Sequence, residues 1–212
     1  MVCIRSVCVY CGSNSGFDEK YVKAAQAAAQ AIVRRQLTLV YGGGHTGLMG
    51  AVADAALHAG SNKVIGIIPE LLKSKEKGHR GVRRLEIVPD MHTRKKRMID
   101  LADSFITLPG GAGTLEELFE VYTWAQLGYH QKPIGLINVN GFFNPLLAMI
   151  DNMVNHGFLH PAYRETLYVA NDANTLLDKF KHHTVIDVDK WSLDHQLKPN
   201  ELPNNRIESS QA

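Results

Sequence analysis

The sequence lacks the features that mark membrane, secreted and nucleic-acid-binding proteins. No apolar run in its 212 residues approaches the roughly 18 that a membrane-spanning helix needs. Lys and Arg number 23 against 21 Asp and Glu, a balance too even to indicate a nucleic acid polymer or an anionic membrane as partner. The N-terminal stretch has no basic start like that of a signal peptide and is interrupted by Arg5. We therefore expect a cytoplasmic protein.

Cysteine is also scarce, since only Cys3, Cys8 and Cys11 are present. The last two have the C-x-x-C spacing of a redox pair or of half a zinc site. A redox pair belongs at a helix start, where the helix dipole lowers the pKa of a thiol, whereas Cys8 falls inside a predicted strand. A fourth metal ligand is not evident and the count is odd, so we expect three reduced thiols.

Strand-like runs and helical patterns alternate along the chain, which predicts an α/β fold with a parallel sheet and helices on both faces. Near-continuous apolar stretches fit strands that are buried on both sides. The length suits one domain, which we place at 1–189, with a polar and flexible tail at 190–212. Strands are expected near 2–10, 37–41, 63–68, 85–88, 104–108, 133–139 and 167–170, and helices over 18–35, 47–59, 90–103, 113–127, 143–155 and 171–181.

Residues 70–84 interrupt this alternation. They are polar and basic and have no clear periodicity. Two interpretations stay open, a mobile flap over a site and a solvated loop.

The most informative motif is PGGAGTLEE at 109–117, which lies between a predicted strand and a predicted helix. A strand that ends in a glycine turn before a helix presents backbone N–H groups and the positive end of that helix, which suits a phosphate. We expect Thr114 near the helix cap and both Glu116 and Glu117 in the first turn. A bare anion site would not favour extra negative charge, so the glutamates indicate chemistry on a phosphorylated substrate.

Two further glycine or serine turns, at 11–16 and 41–50, also follow predicted strands. In a parallel sheet all three turns lie at the carboxyl edge, where ligands bind. The second turn satisfies G-x-G-x-x-G, but the dinucleotide fingerprint needs an acid about 20 positions on, and from residue 60 onward none occurs until Glu70. A P-loop is excluded because no Gly-Lys-Ser/Thr is present. We favour backbone cradling of a mononucleotide.

Arg94 lies on the apolar stripe of the helix predicted from about residue 90. An inward guanidinium needs an anionic partner or a polar cleft because burying it alone is costly. The alternatives are a structural ion pair and an arginine whose stem lies on apolar surface with its head in water. The stripe comprises Met91, Met98 and Leu101, whereas Lys96, Arg97 and Asp100 fall toward solvent.

Glu117 lies at the border of the buried face of its helix. A carboxylate at that border can enter a cleft and have a tuned pKa. The alternative is an acid that stabilises the helix start by about 0.3–1 kcal/mol, and Glu116 and Glu120 would do so equally. Those two are expected to project further toward solvent. The buried face comprises Leu118, Val121, Tyr122 and Ala125.

The segments at 11–13, 41–50, 91–95 and 109–117 together closely resemble the LOG ("lonely guy") family of cytokinin riboside 5′-monophosphate phosphoribohydrolases. These proteins were once described as possible lysine decarboxylases, an activity disfavoured here because no lysine has a recognisable pyridoxal-phosphate context. The resemblance, from about residue 3 to 180, implies a Rossmann-like, doubly wound parallel sheet of about seven strands and a homodimer or larger assembly. It also implies hydrolysis of purine nucleoside 5′-monophosphates, including AMP, to free base and ribose 5-phosphate.

The resemblance assigns catalytic roles to Arg94 and Glu117, with no metal or other cofactor. Ala112 stands where many plant members carry tyrosine, which changes the pocket wall but leaves phosphate binding intact. Binding roles fall on Ser13, Gly43, Gly44, Glu76, Lys95, Gly110, Gly111, Ala112, Gly113, Thr114, Leu115, Glu116 and Thr123.

The implied chemistry agrees with the motifs. Cleavage develops positive charge on the ribose, which a carboxylate beside the anomeric carbon stabilises, while phosphate binding positions the sugar. Two alternatives stay open: a base-exchanging ribosyltransferase that uses the same glutamate as nucleophile, and a carrier or sensor that binds a nucleotide without cleaving it.

Overall fold

A computed structural model of the protein describes residues 3–75 and 77–185. In this part of the chain, seven parallel strands form one sheet in the order β4-β3-β2-β1-β5-β6-β7, which confirms the predicted fold class. The strands are β1 Ser6–Tyr10, β2 Thr38–Tyr41, β3 Val64–Pro69, β4 Arg84–Val88, β5 Ser104–Thr107, β6 Ile134–Ile137 and β7 Leu167–Ala170. The helices are α1 Glu19–Arg34, α2 Gly47–His58, α3 Glu70–Lys73, α4 Met91–Leu101, α5 Ala112–Gln126, α6 Asn144–Asn155, α7 Pro161–Thr166 and α8 Ala173–Lys181, with a 3-10 turn at Val139–Gly141.

The apolar core has two layers, one on each face of the sheet. Helices α1, α2 and α8 cover one face, and α4, α5 and α6 cover the other. Successive side chains of β1 alternate between them, since Val7 and Val9 belong to the first layer and Cys8 and Tyr10 to the second. This explains why the buried strands are apolar throughout. Among the described residues, no helix is both long and apolar enough to cross a bilayer.

Strand β1 marks the point where the direction of the strand order changes. The chain moves from β1 through β2 and β3 to β4 at one edge, then returns to pair β5 with the other side of β1. The turns after β1 and β5 lead into α1 and α5, which lie on opposite faces. Ligands of such sheets bind in the crevice that opens between these two turns. The topology therefore selects the edge at which the PGGAGTLEE motif lies.

Several element bounds differ from the predictions. The β1 strand begins at Ser6 instead of near residue 2, because its ladders with β2 and β5 begin at Ser6 and Val7. Helix α7 and the 3-10 turn were not predicted, since both are too short to show a period. The predicted domain boundary at 189 and the tail lie outside the described residues.

The segment at 70–84 is exposed over most of its described residues, as a solvated loop would be, but it also contains regular structure. It begins with α3 and ends with the first residue of β4. Between them, Gly78 forms an antiparallel bridge with Gly44, and the side chain of His79 is buried. The segment is thus attached to the glycine turn that follows β2. Whether it moves as a flap stays a prediction.

Candidate active site

The turns after β1, β2 and β5 contact one another at the carboxyl edge of the sheet, as predicted. The amide of Gly12 donates to the carbonyl of Pro109 at 3.1 Å, and the amide of Leu48 donates to the carbonyl of Gly12 at 3.0 Å. A Cβ at Gly110 would lie 2.8 Å from the Gly12 nitrogen, and one at Gly47 would lie 2.3 Å from the Ser13 carbonyl carbon. Glycine is needed at both positions because the backbones pass too closely for a side chain.

Helix α5 starts beside this junction with exposed backbone. Gly111 is its N-cap residue, no side chain caps it, and residues 111–113 are exposed. A crevice of about 260 Å³ opens next to it between the turns at 12–16 and 109–111, with Tyr21, Leu48 and Phe142 as further walls. The N–H groups of a helix's first turn have no partner within the helix, so this start can bind an anion.

Thr114 lies near the helix cap, as predicted, but the prediction that Glu116 and Glu117 lie in the first turn is wrong. The helix begins at Ala112, so Thr114 is the third helical residue and is buried, and the first turn contains no acid. The N-cap residue of α5 is a glycine. Glycine is acceptable at this position, but it was not the residue that the sequence pattern indicated. Glu116 and Glu117 therefore lie beyond the turn in which the helix dipole acts most strongly. Stabilisation of the helix start does not explain them.

Arg94 lies inward from α4, as predicted, with 5% of its surface exposed. Its Nε donates to the carbonyl of Ile67 at 3.2 Å, and its Nη2 donates to the carbonyl of Gly42 at 2.9 Å. The guanidinium thus covers the carboxyl ends of β2 and β3. A Cβ at Gly42 would lie 2.0 Å from Nη2, so the second glycine turn makes room for this side chain. The alternative interpretation, in which the guanidinium of Arg94 lies in water, is wrong.

The apolar stripe of α4 differs in part from the prediction. The buried residues of this helix are Arg94, Lys95, Met98 and Ile99, whereas Met91 is 39% exposed. The Met91 sulfur still lies 3.7 Å from Nη1 of Arg94. The helix therefore directs two adjacent cations, Arg94 and Lys95, toward the protein interior.

Glu117 is 9% exposed and projects from α5 into the same region. Burial raises the pKa of both Cys8 and Cys11, the negative charge of Glu117 raises it further, and the positive charge of Arg94 lowers it. Both charges therefore lie near the two thiols at the end of β1. The thiols stay protonated and unreactive, in keeping with the free cysteines that the structure contains.

Lys95 connects α4 to α5 next to this pair of charges. Its Nζ contacts a carboxylate oxygen of Glu116 and lies 3.0 Å from Oε1 of Glu120. Burial lowers the pKa of Lys95, but the hydrogen bonds that its Nζ donates to Glu116 and Glu120 outweigh this effect and raise the pKa above its ordinary value. The side chains of Glu116 and Glu120 are 53% and 21% exposed, against 9% for Glu117, so both project further toward solvent than Glu117, as predicted. Sequence reasoning missed this contact because it joins two different helices.

The remaining predicted residues lie in different places. Ser13 lines the crevice, whereas Gly43 and Gly44 are buried beneath residues 78–79. Leu115 is half-buried, as is Ala125 of the predicted buried face. Thr123 is exposed and lies on α5 about 16 Å beyond Ala112, at 1.5 Å per residue. Glu76 lies outside the described residues.

This fold defines a class: doubly wound α/β proteins, whose ligands bind at the switch point of a parallel sheet. The comparisons are more specific. The family model described as "Possible lysine decarboxylase" matches residues 49–180, and relatives named as phosphoribohydrolases match most of the chain. The chain belongs to the LOG family.

Two plant relatives and one solved structure illustrate the likeness. The chain is 44% identical over 200 residues to the probable cytokinin riboside 5′-monophosphate phosphoribohydrolase LOGL2 of Oryza sativa subsp. japonica, covering 92% of this chain and 82% of that protein. It is 48% identical over 179 residues to the enzyme LOG3 of Arabidopsis thaliana, covering 84% and 83%. The molybdenum cofactor binding protein of Rippkaea orientalis matches with a TM-score of 0.62 at 18% identity, over 84% of this chain and 96% of its own, which supports the fold alone.

Proposed function

We propose that the protein is a phosphoribohydrolase that cleaves the N-glycosidic bond of a purine nucleoside 5′-monophosphate. The products are the free base and ribose 5-phosphate. The observation that carries the proposal is the burial of both Glu117 and Arg94, whose charges lie near the same two thiols, Cys8 and Cys11, at the edge where α5 begins with exposed backbone. Relatives that are 44% and 48% identical are named for this activity on cytokinin riboside 5′-monophosphates.

The start of α5 holds the 5′-phosphate in this proposal. The backbone around Gly111 and Gly113 is exposed and lacks a side-chain cap, and Ser13 stands across the crevice. Backbone N–H groups bind a phosphate by donating hydrogen bonds to its oxygens, although they carry no net positive charge. The positive end of the helix dipole adds to the attraction. A phosphate fixed there places the ribose toward Glu117, so binding energy from a group remote from the reaction orients the bond to be cleaved.

Glu117 supplies the negative charge that the reaction needs. As the base leaves, positive charge develops on the ribose ring, and a carboxylate beside the anomeric carbon stabilises it and deprotonates the attacking water. In this proposal, Arg94 supplies a positive charge that holds the phosphate or the sugar. The carbonyls of Gly42 and Ile67 keep the guanidinium in place between turnovers.

The assembly and the choice of base belong to the same proposal. Thr123 lies too far along α5 to contact a phosphate at Gly111, so its binding role requires α5 of a second copy beside the site. We therefore propose a homodimer or larger assembly in the cytoplasm.

Ala112 is exposed next to the helix start, which leaves room that a tyrosine would fill. We propose that AMP and its N6-prenylated analogues both enter.

One experiment tests the activity. The protein is incubated with AMP, GMP, CMP and isopentenyladenosine monophosphate, and the released bases and ribose 5-phosphate are separated by chromatography. We expect purine release in equal amounts with ribose 5-phosphate, and no release from CMP. A carrier would bind the nucleotides and release no base. A base-exchanging enzyme would release base only when a second, labelled base is added and would incorporate that label into nucleotide.

A further inference from the structure

A second group of polar side chains lies behind the glycine turn that follows β2. Within the described residues, His45, Asp54 and His79 bring one ligand-type atom each to within 4.8 Å of the others. His79 is 4% exposed, and its Nε2 lies 3.0 Å from Oδ1 of Asp54 on α2. Its ring meets the ring of His45 edge to face, with centroids 4.5 Å apart. The mechanism proposed above uses none of the three.

The hydrogen bonds of His79 indicate where its proton lies. The amide of Gly81 donates to Nδ1 at 3.1 Å, so Nδ1 carries no proton. A neutral ring then has its proton on Nε2 and donates it to Asp54. A metal ion bound to Nε2 would displace this proton, and neither ring nitrogen would then carry a proton. Metal-bound histidines instead keep a proton on their other ring nitrogen and donate it in a hydrogen bond. The geometry therefore favours a hydrogen-bonded clamp over a metal site.

The clamp acts on the backbone of the glycine turn. The amide of His79 donates to the carbonyl of Gly43 at 3.0 Å, and Gly78 forms the bridge to Gly44. Gly43 has a φ of +76°. Because glycine adopts many backbone conformations, contacts from outside the turn are needed to hold it in this one. The neighbouring carbonyl, that of Gly42, accepts Nη2 of Arg94. A chain of hydrogen bonds and two peptide units thus connects α2 to the guanidinium.

We propose that His79 and Asp54 are positioning residues: they hold the turn at 42–44 in the one conformation that orients Arg94 toward the substrate. The effect on turnover rests on the proposed function, but the effect on the turn does not. A displacement of about 1 Å in a reacting group can lower a rate by about 10²-fold, so a loosened turn is expected to act on kcat more than on KM.

Asp54 offers the sharper test because its side chain is 43% exposed, and its replacement leaves no buried cavity. In Asp54→Ala, we expect kcat for AMP to fall by about 10- to 10²-fold. Asp54→Asn is expected to recover kcat to within about threefold, since its amide oxygen still accepts the Nε2 proton. His58→Ala is the matched control on the same helix, with an exposed imidazole and no expected change.

Amide hydrogen exchange gives a readout that does not need activity. We expect the amides of His79 and Gly81 to exchange at least about tenfold faster in Asp54→Ala than in the wild type, and at the wild-type rate in Asp54→Asn, because local opening controls exchange. If the wild type cleaves no nucleotide, the proposed function fails and the exchange comparison still tests the clamp. Unchanged exchange and unchanged kcat in Asp54→Ala would overturn it.

A metal titration tests the rival explanation. Zinc chloride is added to the wild type and to Asp54→Asn, and the thermal unfolding midpoint is followed. We expect no zinc-dependent rise in either protein. A rise in the wild type that Asp54→Asn abolishes would identify a metal site and overturn the clamp, because ligand binding to the native state raises the midpoint by mass action.

Discussion

At the scale of single residues, the molecule buries two opposite charges near the carboxyl edge of its sheet. Arg94 and Glu117 are 5% and 9% exposed, and both influence the thiols at the end of β1. Burying isolated ions is costly, so each charge needs support. The guanidinium has it from two carbonyls at the ends of β2 and β3. Buried charges held in this way are more frequent at functional sites than elsewhere.

Removing the charge of Glu117 should separate binding from chemistry. Glu117→Gln keeps the shape of the side chain, so we expect nucleotide affinity to stay within a few-fold while turnover falls by about 10²–10⁴-fold, the usual contribution of a positioned acid–base group. Calorimetric titration and base release measure the two quantities. Glu19→Gln, on the exposed surface of α1, is the control. Near-normal turnover in Glu117→Gln would reject the catalytic assignment.

Arg94 should matter for both rate and stability. Arg94→Ala leaves the carbonyls of Gly42 and Ile67 without a donor, which typically costs about 1–3 kcal/mol of unfolding free energy for a buried group. We also expect kcat and affinity for AMP to fall together. Urea unfolding and steady-state kinetics provide the measurements. Arg97→Ala, on the same helix but paired with Glu86 at the surface, should change neither by more than about threefold.

At the scale of elements, three turns pack so closely that glycine is required at their contacts. In Gly110→Ala, the new Cβ would lie 2.2 Å from Oγ1 of Thr114 and 2.8 Å from the Gly12 nitrogen. We expect a loss of about 1–3 kcal/mol in unfolding free energy, as for other overpacked sites, and loss of phosphate affinity. Gly113→Ala is the stability control because nothing lies within 4 Å of its Cβ. Equal stability of both variants would contradict the close approach.

The start of α5 shows how far local sequence can be read. The glycine turn and the helix there followed from the motif at 109–117 without structural information. The first helical residue did not, because Gly111 and Ala112 permit either start and no capping side chain distinguishes them. The observed start at Ala112 leaves Glu116 and Glu117 beyond the first turn.

At the scale of the whole molecule, burial of His130 links stability to pH. Burial and the charge of Lys132 lower the pKa of this histidine from 6.5 to about 4. The unfolded chain therefore binds a proton between these values that the folded protein does not, so the free energy of unfolding falls as pH drops from about 6.5 to 4. His130→Gln should flatten this slope, and the exposed His58→Gln should leave it unchanged. Urea unfolding over that pH range measures both.

The sequence by itself determined the alternation of strands and helices, the three turns at one edge and the inward placement of Arg94. These depend on periodicity and on glycine positions, which act within a few neighbouring residues. Only the tertiary structure decided which side chains meet across elements: Lys95 with Glu116 and Glu120, and His79 with Asp54. Their partners stand 21 to 25 positions apart in the chain, and the order of strands in the sheet brings them together. Local propensity does not determine the strand order, because that order arises only when the two apolar layers pack on the completed sheet.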